Sequence, residues 1–111
     1  PVKERHGFFS MIISNPPYVR RGEIPNLPPD VRDWEPRTAL DGGLDGLDFY
    51  RRIVLEGGFY LAAGGIIVLE IGADMGVEVR DLFAGVNFYS DTTVIRDYAG
   101  RDRVVTARKA V

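Results

Sequence analysis

Hydrophobic residues fall into short runs that glycine, proline and charged residues separate. The run Phe8–Ser14 is almost uninterrupted, which predicts a strand buried on both faces, as in a parallel sheet. It ends at Asn15 because the two prolines that follow cannot continue a strand ladder. Ile66–Ile71 predicts a second buried strand of the same kind. The later apolar runs predict two more strands joined by a turn, at Thr92–Arg96 and Val104–Ala107.

Two segments between the predicted strands have apolar residues at helical spacing. The first helix is predicted to begin at Gly46 with Asp45 as its cap, and to be interrupted or ended by Gly57 and Gly58. Its apolar positions are Leu47, Tyr50, Ile53 and Val54, and those of the second helix are Val77, Val79, Leu82, Phe83 and Val86. The residues from Val19 to about Leu44 have no sustained period and predict a long loop, which is usually functional or disordered in a compact domain.

The predicted order of elements is strand, helix, strand, helix, strand, strand, which is typical of an α/β fold. It corresponds to the C-terminal half of a doubly wound, Rossmann-like sheet that ends in an antiparallel hairpin. A two-sided apolar strand placed first, at Phe8–Ser14, would present an unpaired edge that we expect other sequence or another chain to cover. The chain starts at Pro1 without an initiator Met, so we expect it to be part of a longer protein.

Composition narrows the class of protein further. The chain has 111 residues, 45% of them hydrophobic, which suits one globular domain. Its net charge of −2 gives no strong field to attract nucleic acid or an anionic membrane to the whole surface. The longest uncharged apolar stretch, Gly57–Leu69, has 13 residues, whereas a membrane-spanning helix needs roughly 20. We therefore expect a protein without a membrane partner. The lack of cysteine is compatible with the cytoplasm, and the single His6 predicts no metal site.

The sequence Asn15-Pro16-Pro17-Tyr18 follows the first predicted strand directly, where open α/β sheets bind ligands. Asn15 offers a carbonyl acceptor and an NH₂ donor, Pro16 has a backbone carbonyl on a rigid turn, and Tyr18 offers a flat face for a planar group. An amide or aromatic amine nitrogen is a poor nucleophile because its lone pair is delocalised. Acceptors that hold both of its N–H hydrogens would orient the lone pair toward an electrophile. The alternative is a proline-stiffened turn with a structural tyrosine.

This tetrapeptide resembles the substrate motif of amino and amide N-methyltransferases that use S-adenosylmethionine, and DNA adenine methyltransferases also carry it. Three further segments, Trp34–Arg51, Leu69–Gly72 and Arg96–Val105, are similar to segments of the peptide chain release factor glutamine methyltransferases. Together the resemblance covers about Phe8 to Ala107. It implies the C-terminal part of a class I methyltransferase domain over residues 1–111, without the N-terminal helical domain and the cofactor's glycine loop that the family carries.

The resemblance also implies a function and a set of site residues. Members of this family methylate the side-chain amide of the Gln in the Gly-Gly-Gln loop of release factors, with S-adenosylmethionine as the cofactor. Asn15 and Pro16 would be catalytic, and Asn15 would also face the cofactor. The substrate-binding residues would be Asn15, Pro16, Pro17, Tyr18, Glu35 and Pro36. Met75 departs from the family, which often has Gln there.

A second glycine-containing segment, Glu70–Gly76, could be mistaken for the cofactor's glycine loop because it lies between a predicted strand and a predicted helix. Asp74 stands where the second glycine of such a loop should be, and only glycine lets the backbone approach a nucleotide there. We therefore interpret Glu70–Gly76 as a later loop near the site. Gly42, Gly43 and Gly46 are likewise interpreted as a flexible loop and the start of a helix.

Two other functions stay open at this point. A DNA or RNA amino-methyltransferase could use the same tetrapeptide to accept an extruded base on Tyr18, although the acidic balance and the segment Trp34–Arg51 favour release factors and no direct DNA binding. A non-catalytic, isolated fragment is the third hypothesis. We expect the 111 residues alone to be inactive, and we expect the edge of the Phe8–Ser14 strand to promote self-association.

Overall fold

The computed structural model describes residues 6–29 and 36–111 of the chain. Four strands, three α-helices and one 3₁₀ helix are found in these ranges. In chain order they are β1 (Phe9–Ser14), the 3₁₀ helix (Arg21–Asn26), α1 (Arg37–Leu40), α2 (Asp48–Tyr60), β2 (Leu61–Glu70), α3 (Gly76–Ala84), β3 (Tyr89–Arg96) and β4 (Asp102–Lys109).

The four strands form one mixed sheet in the order β1-β2-β4-β3. β1 and β2 are parallel, and β4 lies antiparallel to both β2 and β3. The helix α2 connects the parallel pair, and the hairpin β3–β4 closes the sheet by placing the last strand in its interior. This topology confirms the predicted α/β fold class and the antiparallel hairpin. It also leaves β1 with one strand neighbour among the described residues, as the sequence predicted.

The boundaries of α2 and β2 differ from those predicted. α2 begins at Asp48, not at Gly46, and Asp45 does not occupy the cap position, although its carboxylate accepts a hydrogen bond of 3.0 Å from the backbone N–H of Leu47. Gly57 and Gly58 lie within the helix and do not interrupt it, and both are buried against neighbouring side chains. A Cβ at Gly58 would lie 2.1 Å from an atom of the Phe88 ring. These glycines allow close packing, and β2 starts directly after the helix.

The hydrophobic core lies between the sheet and the two longer helices, which contact each other on one face of the sheet. Facing strands contribute buried residues in register: Ile67 lies opposite Ala107, and Leu69 lies opposite Val105. The fully buried side chains include Tyr50, Val54, Leu61, Ile67, Leu69, Val79, Phe83 and Val105. The core therefore fixes the position of α2 against β2, and with it the loops at the carboxyl ends of the strands.

The other face of the sheet is largely open in the described structure. Met11 is 50% exposed and Ile13 is 72% exposed, and both pair in register with half-buried residues of β2, Ile66 and Val68. The prediction that Phe8–Ser14 is buried on both faces is therefore wrong for this structure, because both longer helices pack against the same face. Of the central β1 side chains, Ile12 packs against the core.

Two aspartates stabilise the closing hairpin by accepting hydrogen bonds. Asp97 accepts a hydrogen bond of 2.8 Å from Nε of Arg103 across the hairpin. Asp102 accepts 3.0 Å bonds from Nε of Arg96 and from the backbone N–H of Gly76, the first residue of α3. A carboxylate at this position satisfies an N–H that the helix cannot pair internally and complements the helix dipole. Asp102 thus joins the hairpin to the start of α3.

Candidate functional site

The candidate site lies at the edge of the sheet where β1 and β2 end. Because these strands are parallel and Ser14 pairs with Leu69, their carboxyl ends meet at the same edge. Asn15 follows β1 directly, and Gly72 follows β2 after one intervening residue. The predicted motif and the segment after Glu70 are therefore neighbours in space, which the sequence interpretation of the later loop anticipated.

The motif lines an open cleft of about 200 Å³. Asn15 is exposed on this cleft, and no residue in the described ranges forms a hydrogen bond with its carboxamide. Pro16 is buried and Pro17 is half-buried. The residues that line the cleft are Asn15, Pro16, Pro17, Tyr18, Val19, Ala39 and Leu40. Asn15 thus presents an unpaired acceptor and an unpaired donor beside a rigid proline pair.

Tyr18 is half-buried and lies between two clefts. Its ring rests on Gly72, where an added Cβ would lie 3.1 Å from Cδ1 and 3.2 Å from Cε1 of the ring. The ring packs against the core as well as lining the cleft. A second cleft of about 230 Å³ adjoins the first through Tyr18 and Val19, and its other lining residues are Arg20, Glu23, Leu27, Gly72, Ala73, Asp74 and Met75.

The backbone that follows the motif is hydrogen-bonded to residues 40–46. We call this segment the glycine loop, and it is distinct from the cofactor's glycine loop mentioned above. The backbone N–H of Val19 donates to the Leu40 carbonyl at 2.9 Å, and the Val19 carbonyl accepts from Gly42 at 2.8 Å. The N–H of Arg21 donates to the Gly43 carbonyl at 2.9 Å. These bonds form a short parallel pairing, so the glycine loop fixes one side of the cleft and is not free as the sequence suggested.

Two arginines that follow the motif are paired with carboxylates. Nη1 of Arg20 lies 3.2 Å from Oδ2 of Asp74, at the rim of the second cleft. Nε of Arg21 lies 3.0 Å from Oδ2 of Asp41 in the glycine loop. Pairs this exposed contribute little to stability. Their effect here is that neither guanidinium presents an unpaired positive charge beside the cleft.

A buried tyrosine lies beneath the site. The Tyr50 hydroxyl, on α2, donates a 2.7 Å hydrogen bond to the backbone carbonyl of Glu70 at the end of β2. Burial raises the pKa of Tyr50, and the neighbouring Tyr18 and Glu70 raise it further. The phenol therefore stays protonated and keeps its donor, which holds the end of β2 against α2. Its helical spacing marked Tyr50 as a core residue, but this bond to Glu70 has no signal in the sequence.

The structure brings four of the six predicted site residues together at the first cleft, from Asn15 to Tyr18. Glu35 lies outside the described residues. Pro36 is exposed and is not among the residues that line the cleft, although its carbonyl accepts a 2.9 Å hydrogen bond from Ala39, which does line it. Sequence reasoning missed the residues that support the motif. The available signal was the cluster of glycines at 42, 43 and 46.

The described ranges contain no cluster of His, Cys, Asp or Glu side chains that could bind a metal ion. The ring of His6 packs against the rings of Phe59 and Tyr60, with centroid distances of 6.0 and 5.3 Å. In the same ranges, every helix is too short or too polar to span a bilayer.

Comparison with known proteins identifies close relatives in sequence, although no protein-family model matches the chain. A release factor glutamine methyltransferase of Moorella thermoacetica is 49% identical over 96 residues, which cover 86% of this chain and 34% of that protein. A protein of the same name from Clostridium acetobutylicum is 49% identical over 104 residues, which cover 94% of this chain and 36% of that protein. One from Thermodesulfovibrio yellowstonii is 41% identical over 110 residues, or 99% of this chain and 38% of that protein.

The fold has a relative among solved structures. The crystal structure of a release factor-specific protein-(glutamine-N5) methyltransferase from Alicyclobacillus acidocaldarius superposes with a TM-score of 0.62 at 28% sequence identity. The match covers 98% of this chain and 53% of that one. The four-stranded sheet and its closing hairpin therefore correspond to part of a known methyltransferase fold.

The chain spans about a third of the length of the curated relatives that it matches. Within that span the similarity covers nearly every residue, including the motif at the sheet edge and the closing hairpin. Sequence and fold agree with the resemblance that the motif and its flanking segments indicated. The chain thus belongs to the release factor glutamine methyltransferase family.

Proposed function

We propose that the protein to which this chain belongs is an S-adenosylmethionine-dependent N-methyltransferase. Its substrate would be the side-chain amide of the glutamine in the Gly-Gly-Gln motif of peptide chain release factors. The observation that carries the proposal is the exposed carboxamide of Asn15, unpaired among the described residues and set in a cleft at the carboxyl edge of the sheet. The names of the sequence relatives support the substrate class.

The described residues fit one wall of a cofactor and substrate site. S-adenosylmethionine, when bound, supplies an electrophilic methyl group. Asn15 is the residue of this chain that would face both the cofactor and the target amide, because it is exposed on the cleft and follows the strand end directly. The segment after β2 would form a second wall of the site. It does not suit a nucleotide-binding loop, because the Tyr18 ring already lies on Gly72.

The work of the site is to position a weak nucleophile. The Oδ1 atom of Asn15 would accept a hydrogen bond from one N–H of the glutamine amide, and the carbonyl of Pro16 would accept one from the other. Tyr18 would pack on the plane of the amide, with Pro17 keeping the segment rigid. Because the amide would be held in this way, its nitrogen lone pair would point at the methyl group. Fixing the amide in advance would also lower the entropic cost of reaching the reactive geometry. In such a transfer the N–C bond would form as the methyl–sulfur bond breaks, with the electron pair staying on the sulfur, and the nitrogen would then lose one proton to water.

The proposal extends to the surroundings of the site. Glu35 and Pro36 would lie along the channel that admits the release factor loop. The partner would be a release factor and not DNA, since the net charge of −2 provides no attraction for a nucleic acid backbone. Because release factors act in translation, we place the protein in the cytoplasm.

A labelling experiment tests this function. The full-length protein is incubated with S-adenosylmethionine carrying a labelled methyl group and with either a release factor or adenine-containing DNA. We expect label in the release factor alone, and none in a release factor whose target Gln is replaced by Ala. Label in the DNA would support the nucleic-acid alternative, and label in neither would refute methyl transfer to both substrates.

A further inference from the structure

We infer that the glycine loop, residues 40–46, is a positioning element for methyl transfer, acting through the close approach of Gly42 and Gly46 to the backbone of the motif. This inference rests on the proposed function and adds to it a determinant outside the tetrapeptide. Gly42 and Gly46 are not among the residues that line either cleft. They act by fixing where Pro17 and Tyr18 lie, and thereby where Asn15 and Pro16 lie.

Gly42 is packed directly against the backbone of the motif. A Cβ at this position would lie 2.7 Å from Cα of Tyr18 and 2.9 Å from the carbonyl oxygen of Pro17. It would also lie 2.8 Å from the carbonyl oxygen of Gly46. All three are backbone atoms, so no rotation of a side chain could relieve the contact. Any residue other than glycine must displace the segment that carries the site.

Gly46 approaches the same segment from the other end of the loop. Its φ of +79° is a conformation that side chains disfavour. A Cβ there would lie 2.4 Å from the carbonyl oxygen of Tyr18 and 3.1 Å from Cε of Met75. Met75 is buried, and its Cε faces Gly46 from the start of α3. Two glycines of one loop therefore lie close to the backbone of the motif at Pro17 and Tyr18.

Hydrogen bonds connect this enclosure to the rest of the fold. The N–H of Gly43 donates to Oδ1 of Asp41 at 2.9 Å, which shapes the loop. The N–H of Asp48, the first residue of α2, donates to the Gly42 carbonyl at 3.0 Å. Together with the bonds of Val19 to Leu40 and Gly42, they tie the motif to α2 as well as to β1. A displacement on the order of 1 Å at a reacting group can cost about 10²-fold in rate.

The test compares two glycine-to-alanine variants of the full-length protein. Gly42→Ala introduces the three backbone contacts, whereas Gly22→Ala, in the 3₁₀ helix, meets nothing within 4 Å. For release factor methylation we expect Gly42→Ala to lower kcat per folded molecule by about 10²-fold, with the affinity for S-adenosylmethionine within about twofold of wild type. We expect Gly22→Ala to stay within about twofold of wild type in both. The folded fraction is measured by thermal unfolding monitored by circular dichroism.

A purely structural role predicts something different, namely a lower Tm for Gly42→Ala with an unchanged kcat for the molecules that remain folded. That result would overturn the inference. If Gly42→Ala does not fold, Asp41→Ala replaces it, because it removes the acceptor of the Gly43 N–H without adding atoms. Its control is Glu56→Ala, which removes the exposed pair of Glu56 with Arg52 on α2. We expect a fall in kcat of about tenfold for Asp41→Ala alone, and equal rates in the two variants would overturn the inference.

Hydrogen exchange in the wild-type protein tests the geometry without any assay of activity. The amides of Val19, Arg21 and Gly42 should exchange more than about tenfold more slowly than in an unstructured peptide. Exchange at unstructured rates would refute the inference even if the protein methylates release factors. Conversely, slow exchange at these amides in a protein that labels no release factor would refute the proposed function and leave the loop's contacts established.

Discussion

At the scale of single residues, the proposed site centres on Asn15, whose side chain lacks a partner within the described ranges. Buried polar groups in folded proteins are nearly always hydrogen-bonded, and the described ranges contain no buried side-chain polar atom without a partner. Asn15 differs in being exposed on a cleft with its carboxamide unpaired there. The two prolines that follow it restrict the backbone, so little conformational freedom would be lost when a substrate binds.

Replacement of Asn15 tests its role directly. In the full-length protein we expect Asn15→Ala to lower kcat for release factor methylation by about 10²-fold, because one of the two acceptors that hold the amide is lost. The affinity for the cofactor should change much less. Asn87→Ala, at an exposed position, serves as the control. Methylation by Asn15→Ala at the wild-type rate would refute the role given to this residue.

Two tyrosines predict how stability depends on alkaline pH. Burial raises the pKa of Tyr89 to about 12, and its hydroxyl donates a 2.5 Å hydrogen bond to the carbonyl of Val54. Burial also raises the pKa of Tyr50. Above pH 10 the unfolded chain loses these protons while the folded chain keeps them, so the free energy of unfolding falls as the pH rises. Below pH 10 both states are protonated, and neither tyrosine contributes a pH dependence.

Urea unfolding of the chain between pH 8 and pH 12 measures this effect. Each tyrosine should lower the free energy of unfolding by about 1.4 kcal/mol per pH unit between pH 10 and its folded pKa. Tyr89→Phe should reduce the slope by that amount. Tyr98→Phe, at a fully exposed position, is the matched control for the loss of a hydroxyl. Equal slopes for Tyr89→Phe and wild type would contradict the prediction.

At the scale of elements, β1 leads directly into the motif, yet most of its apolar side chains and its outer edge are exposed. Its carboxyl end presents the motif, yet the exposed side chains on it and just before it include Phe8, Phe9, Met11 and Ile13. Since β1 pairs only with β2 among the described strands, its outer edge has unpaired backbone groups beside an apolar surface. Exposed edges and apolar patches of this kind promote association.

We therefore expect the 111-residue chain to self-associate through β1. Ile13→Lys places a charge at the most exposed apolar position of the strand and should shift the chain toward monomer. Val77→Lys, at an exposed apolar position on α3, controls for the added charge and should not. Light scattering at several concentrations measures the mass. A monodisperse monomer for the unmodified chain would contradict this expectation.

At the scale of the whole molecule, the described sheet provides the edge that carries the motif and the closing hairpin of a known methyltransferase fold. The chain spans about a third of its curated relatives, and the residues at the cleft form one wall of the proposed site. A nucleotide-containing cofactor normally requires a glycine-rich loop after a strand in an open α/β sheet. In this chain, the segment after β2 resembles such a loop, but the Tyr18 ring lies on its Gly72.

Calorimetric titration of the 111-residue chain with S-adenosylmethionine tests whether the residues of this chain are enough to bind the cofactor. We expect no binding at micromolar concentrations, because one wall with a single cofactor-facing residue offers too few contacts. The full-length protein, titrated under the same conditions, should bind and thereby serves as the positive control. Micromolar affinity in the isolated chain would show that its own residues suffice for the cofactor.

Element types, their order and the motif could all be predicted from the sequence, because each depends on near neighbours in the chain. Apolar periodicity identified the four strands and the two longer helices, and the prolines marked the end of β1. The resemblance in the tetrapeptide and its flanking segments identified the family. Boundaries were less well predicted where glycines serve packing, as at Gly57 and Gly58, since their local preference indicates a break.

Only the tertiary structure decided how distant segments meet. The N–H at the start of α3 is satisfied by Asp102, 26 residues away. Gly42 and Gly46, which the sequence assigns to a flexible loop and to the start of a helix, lie against the backbone of Tyr18. One face of β1 is open because both longer helices pack on the opposite face of the sheet. Such contacts follow from how the whole chain packs, and local preference and periodicity contain no information about them.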